Sequence, residues 1–191
     1  METKDLVLPT HMEILHKFLT VSLHLTIVSG TQKPLFEIEC PSLRIKKSAY
    51  IYFADSEREM LCWMCPVWGM KWNIMVSLPD DKILGVIRRD KNELTGRTRW
   101  NVLDAEGNDL MVVKQEGSAI ERLRKRVTLF SERRELIHAG DQYVGAFVSR
   151  SGYVHENHKM LLDPETHVTF DKRMILSTIV VLTGVFDRIF T

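Results

Sequence analysis

From about Leu23 to Phe170 the apolar residues come in short runs, many of them alternating with polar ones. Leu23, Leu25 and Ile27 alternate, and Ser29-Gly30 then turns the chain. Leu35–Ile38, Leu43–Phe53, Met60–Met64, Trp72–Leu78 and Ile83–Ile87 follow, with Pro79-Asp80-Asp81 between the last two. Arg99–Leu103 and Leu110–Val113 flank Asp104-Ala-Glu-Gly107-Asn108. Val127–Phe130, Tyr143–Val148, Met160–Leu162 and Val168–Phe170 complete the series. Short strands bounded by turn residues at close intervals predict an antiparallel sandwich or barrel of about a dozen strands.

Both ends break this pattern. Thr10-His-Met-Glu13 has the form of a capping box, and Ile14, Leu15, Phe18 and Leu19 follow at helical spacing. A short helix is expected over 11–19, in an N-terminal extension (1–20) ahead of a barrel domain (21–191). At the other end Asp171 is a candidate N-cap for a helix running to Phe190. Met174, Ile175, Ile179, Val180, Leu182 and Val185 cover every side of that helix, so it must be wrapped all round. Each large side chain contributes about 1.5–3 kcal/mol on burial. Strands on two sides cannot cover it, whereas strands closed around it can. The pattern therefore predicts a mainly β fold, a closed antiparallel barrel with a hydrophobic C-terminal helix through its centre. Val and Ile are mediocre helix formers, which leaves a strand reading of 178–182 open.

A membrane-spanning helix is the alternative for Met174–Phe186, giving a tail-anchored protein. Those thirteen residues would cover about 20 Å as a helix, against a bilayer core of about 30 Å. Charges bound the segment on both sides, and a buried core helix fits it better.

Composition narrows the class. A chain of 191 residues suits one domain with a short extension. Hydrophobic residues at 45% and charged residues at 27% exclude a disordered chain. The net charge is +1, so no global field draws the protein onto nucleic acid, and none is expected as a partner. Three cysteines cannot build a disulfide scaffold and point to a reducing, cytoplasmic setting. No secretory leader, myristoylation glycine or prenylation signal is seen. No G-x-S-x-G, Walker loop, G-x-G-x-x-G or H-E-x-x-H occurs, and the chain reads as a non-enzymatic module.

Several clusters carry candidate chemistry. Glu121-Arg-Leu-Arg-Lys-Arg126 is the densest basic run, with Arg133 and Arg134 close behind. On an alternating strand Arg122, Arg124 and Arg126 share one face. With Lys125 they make a candidate site for phosphate or anionic lipid headgroups. The plainer reading is a solvated face interleaved with Glu121, Glu132 and Glu135. Cys62-Trp-Met-Cys65 is an isolated C-x-x-C whose thiols would point to opposite faces of a strand, so two structural cysteines are expected. His155-Glu-Asn-His158 is expected in a polar hairpin loop, and Trp63, Trp68 and Trp72 in one corner of the core.

The unit Arg99–Asn108 followed by Leu110–Gly117 is similar to the recurring strand–D-x-x-G-turn–strand unit of the tubby C-terminal-like superfamily. That superfamily includes the phospholipid scramblases and the LURP-one-related proteins. Leu25–Ile38, with Gly30 in its turn, resembles a worn copy. Phe170-Asp-Lys-Arg-Met and the apolar run after it look like the family's terminal barrel-filling helix. The resemblance covers about residues 20–190. It implies a basic barrel surface that meets phosphoinositides or other anionic membrane lipids, and a peripheral position at the membrane. The alternative is a regulatory scaffold with a protein partner and no lipid affinity. Scramblases also imply calcium, at the segment before the terminal helix. Asp163, Glu165 and Asp171 there have the right ligand type, though the segment lacks an EF-hand's glycine and final glutamate. A turn plus a helix cap is the plainer reading. The chain departs from the scramblases in having no Pro-rich N-terminal tail and no palmitoylation-type cysteine cluster.

Overall fold

The computed structural model describes residues 6–19, 22–41, 48–67, 72–92, 97–117, 132–151 and 156–186. Its strands are β1 (His11–Leu19), β2 (Ser22–Ser29), β3 (Pro34–Pro41), β4 (Ala49–Phe53), β5 (Met60–Pro66) and β6 (Asn73–Ser77). They continue as β7 (Ile83–Asn92), β8 (Arg97–Asp104), β9 (Asp109–Gln115), β10 (Glu132–Ala139), β11 (Gln142–Ser151) and β12 (Glu156–Leu162). A helix, α1 (Arg173–Leu182), follows. Each strand pairs antiparallel with its neighbours in sequence, and β1 closes the ring against β12.

The strand alternation sorts side chains to the two faces of the wall. Met12, Ile14, Leu25, Ile27, Phe36, Ile38 and their counterparts point inward and are buried. They surround α1, in which every residue from Met174 to Leu182 is buried. The expected apolar helix inside a closed barrel is thus what the chain forms. The expected run to Phe190 is interrupted: residues 185–186 are helical again after a break, and 187–190 lie outside the described residues. The helix begins at Arg173 and gives way at Thr183-Gly184, where Gly184 takes a φ of +74°. Val185 and Phe186 beyond it stay buried. No helix among the described residues is long and apolar enough to cross a membrane.

Two expectations about elements need correcting. Residues 11–19 are strand, not helix, with Met12 and Ile14 inward and Leu15 exposed. Closure overrides the local helical spacing, because without β1 both β12 and β2 would be open edges. Val168–Phe170 is not a strand; it belongs to a crossing segment that carries the chain from β12 to α1. The expected strand at Val127–Phe130 lies outside the described residues.

The two ends of the barrel differ. Five hairpins turn at one end: β2–β3, β4–β5, β6–β7, β8–β9 and β10–β11. Each has a register shift just before its turn. Three of these turns share one hydrogen-bond pattern. The N–H groups of Ser29, Leu78 and Asp104 donate to the carbonyls of Lys33, Lys82 and Asn108. The N–H groups of Gln32, Asp81 and Gly107 donate back to Ser29, Leu78 and Asp104. Gln32, Asp81 and Gly107 all sit at positive φ. The Leu25–Ile38 unit therefore repeats the Arg99–Gly117 turn, but its left-handed residue is Gln32 rather than Gly30. A third copy at 78–82 was hidden because Asp81, not glycine, holds that position. The chain enters the barrel at this end, where Met174 lies against Gly85. The other six connections join the strands at the opposite end.

Candidate anion-binding surface

Arg122, Arg124, Lys125 and Arg126 lie outside the described residues. What the structure gives is the wall that their segment joins. The segment runs from β9 to β10, which pair from Glu135↔Gln115 to His138↔Val112. The Glu116 N–H donates to the Arg134 carbonyl at 2.9 Å and extends that pairing.

On the outer face here, β10, β11, β12 and β1 carry long charged side chains. Their register is fixed by pairing: Arg134↔Val148, Glu132↔Arg150, Arg150↔Asn157, Val148↔Lys159 and Lys159↔Glu13. A groove of about 250 Å³ lies among them, lined by His11, Glu132, Arg134, Val148, Arg150, Asn157, Lys159 and Leu161. Arg150 Nε donates to Glu132 Oε2 at 2.7 Å, and Lys159 Nζ donates to Glu13 Oε1 at 2.7 Å. Arg134 Nε is 3.6 Å from Glu116 Oε2. Hydrogen bonds from Lys159 and Gln32 hold the Glu13 carboxyl below its ordinary range. The Arg150–Glu132 and Arg134–Glu116 pairs are exposed and each is worth about 0–1 kcal/mol, whereas Lys159–Glu13 is half-buried.

Farther round the same face, Arg88, Asp90, Arg99 and Asn101 form a second polar network. Asp90 accepts from Asn101, which in turn accepts from Arg99 Nε at 2.7 Å. Arg88 Nε is 3.5 Å from Asp90.

Two of the three carboxylates suggested for calcium, Asp163 and Asp171, have other tasks. Asp163 accepts from the Glu165 N–H at 2.9 Å, a local turn. Asp171 accepts from the Arg173 backbone N–H at 2.9 Å and from its guanidinium at 2.5–3.0 Å. Among the described residues, no three His, Cys, Asp or Glu side chains lie together as a metal site. Asp171 is not the N-cap as expected: Lys172 holds that position, without a side-chain cap hydrogen bond, and Asp171 precedes it while accepting from the Arg173 N–H.

The remaining candidates fall on the barrel itself. Cys62 points inward, with Sγ 3.6 Å from Ser177 Oγ of α1, and burial pushes its thiol up to about 11. Burial pushes Cys40 up to about 12. Cys65 is half-buried, and no disulfide joins it to Cys62. His158 is not in a hairpin loop. It is buried on β12, stacked on Phe147 at 5.4 Å, with Nδ1 3.0 Å from Ser149 Oγ. His155 lies outside the described residues. Trp63 is part-buried and donates to the Leu78 carbonyl at 3.0 Å. Trp72 is also part-buried, and together with Trp100 it flanks the Arg89 guanidinium, at 4.5 and 5.3 Å. Trp68 lies outside the described residues.

No family model matches the chain, and no curated protein does. An X-ray structure of an Arabidopsis thaliana protein, a LURP-one-related protein, superimposes with a TM-score of 0.54 at 13% identity. The match covers 93% of this chain and 92% of that one. The fold is tubby-like. At that identity the likeness carries architecture alone.

Proposed function

We propose that this tubby-like barrel is a non-enzymatic module that binds anionic phospholipid headgroups through one basic outer face. The observation that carries the reading is where the positive charge falls. The β9–β10 connection bears Arg122, Arg124, Lys125 and Arg126 against two acids, Glu116 and Glu121. It feeds into a wall where Arg134, Arg150 and Lys159 already line a groove. A basic residue near an anionic membrane surface is worth about 1 kcal/mol, so four give about 4 kcal/mol, near a thousandfold in partitioning. The barrel interior is filled by α1, which leaves the outer surface and its connections for a ligand. The protein would then sit peripherally at a membrane, with no cofactor.

The test is replacement of Arg122, Arg124, Lys125 and Arg126 by Ser. The reading expects loss of vesicle binding with no change in melting temperature. Unchanged vesicle binding would contradict it. A protein that binds no vesicle before or after replacement would be the alternative, a protein-interaction scaffold.

A further inference from the structure

Val148 is the low point of the basic face. It projects outward from β11, with Arg134 directly opposite on β10 and Lys159 directly opposite on β12. Neighbouring strands lie about 4.8 Å apart, so those two backbones stand about 10 Å apart across Val148. Arg150, two residues along β11, shares its face, and Asn157 is opposite Arg150 on β12. A short branched side chain ringed by long ones produces the groove.

The acids stand mostly at its margin. Glu116 lies beyond Arg134 on the β9 side, and Glu13 lies beyond Lys159 on β1. Only Glu132 belongs to the lining, where it pairs with Arg150. Within the lining, three fixed cations thus surround Val148 with one carboxylate among them. The exposed pairs of Arg134 and Arg150 exchange partners at little cost. A phosphate placed over Val148 offers each guanidinium a charged hydrogen-bond acceptor, and Lys159 meets it as a compact point charge.

Resting on the reading that this face meets anionic headgroups, we infer that the groove over Val148 is a site for a phosphate monoester, held by Arg134, Arg150 and Lys159. The monoester fits better than a diester. It carries a charge of about −1.5 to −2 at neutral pH and three terminal oxygens, one for each cation. A diester brings one charge and two free oxygens. The same chemistry occurs in the phosphatidic acid headgroup and in soluble glycerol 3-phosphate.

The experiment uses the full chain with phosphatidylcholine vesicles, doped with either phosphatidic acid or phosphatidylserine to equal surface charge. Glycerol 3-phosphate binding is measured alongside by calorimetry. The groove variants are Val148→Glu and the double variant Arg134→Gln/Arg150→Gln, both on the solvent face and both checked by melting. The comparison variant is the Ser replacement at Arg122, Arg124, Lys125 and Arg126. The wild type is expected to favour phosphatidic acid over phosphatidylserine by about tenfold or more and to bind glycerol 3-phosphate. The groove variants lose both properties, whereas the comparison variant binds both vesicles more weakly and keeps the preference. Groove variants that melt like the wild type yet keep the preference overturn the site, even where the comparison variant shows that the face binds membranes. Equal wild-type binding to the two vesicles also overturns it. Groove-dependent glycerol 3-phosphate binding without vesicle binding supports the site and overturns the membrane reading. Absence of both overturns both.

Discussion

Gly85 on β7 has no room for a side chain. A Cβ there would fall 2.1 Å from the Leu103 carbonyl oxygen and 2.8 Å from Met174 Cε. The first contact is backbone, so β7 and β8 must part or α1 must shift. Gly85→Ala is expected to cost about 2 kcal/mol or more in urea unfolding; an unchanged midpoint would mean that β7 and β8 do not approach this closely at Gly85. Asp171 gives a pH-dependent counterpart. Burial raises its pKa, but the hydrogen bonds and charge of Arg173 outweigh that and hold it below the ordinary value of 3.8. A depressed carboxyl contributes stability that is full above the unfolded pKa and is lost as pH falls through the folded one. Acid unfolding below the ordinary value of 3.8 should therefore be shallower in Asp171→Asn than in the wild type, and equal slopes would remove the pair from the account. At this scale the sequence was partly legible. The place of Asp171 before the apolar run put the helix start within one residue of the actual N-cap, Lys172. Arg134 stood out beside Arg133, but Val148, Arg150 and Lys159 join it only through strand register. No local spacing reports which of them share a groove.

At the scale of elements, the helix was the most legible part and β1 the least. Nine consecutive buried residues from Met174 to Leu182 leave no solvent face, and an all-round apolar segment too short for a bilayer has few other places to go. β1 was masked by Leu15 and His16. Leu15 faces outward at 41% exposure, and His16 stands where alternation calls for an apolar residue. β10 went unseen for a related reason. It opens on Glu132-Arg-Arg-Glu135, yet Glu135 is buried and bonded to Arg133. A charged residue paired on the inner face looks like loop in a hydropathy pattern. The element-scale prediction concerns the helix. Ile179 is fully buried, so Ile179→Ala should cost about 2–5 kcal/mol in chemical denaturation. A loss under about 0.5 kcal/mol, the range of ordinary surface substitutions, would mean the barrel does not grip its helix.

For the whole molecule, closure is the fact that shapes function. A ring of twelve paired strands has no free edge, so no partner strand can be added to it. The centre is occupied, and the tight, bulged hairpins gather at one end. The chain's densest basic run, Arg122–Arg126, belongs to the β9–β10 connection, and the wall beside it carries Arg134, Arg150 and Lys159 together with their paired acids. The overall charge of +1 conceals this asymmetry, since acids elsewhere, such as Glu37 and Glu39 around Arg58, balance it. Sedimentation of the purified wild-type chain with neutral and with phosphoinositide-doped vesicles, at low and at high salt, tests the central claim most directly. The account predicts binding to the anionic vesicles alone, weakened by salt because the cations are exposed and screened. Failure to bind either vesicle, from a folded soluble protein, or equal binding to both at high salt, would contradict it.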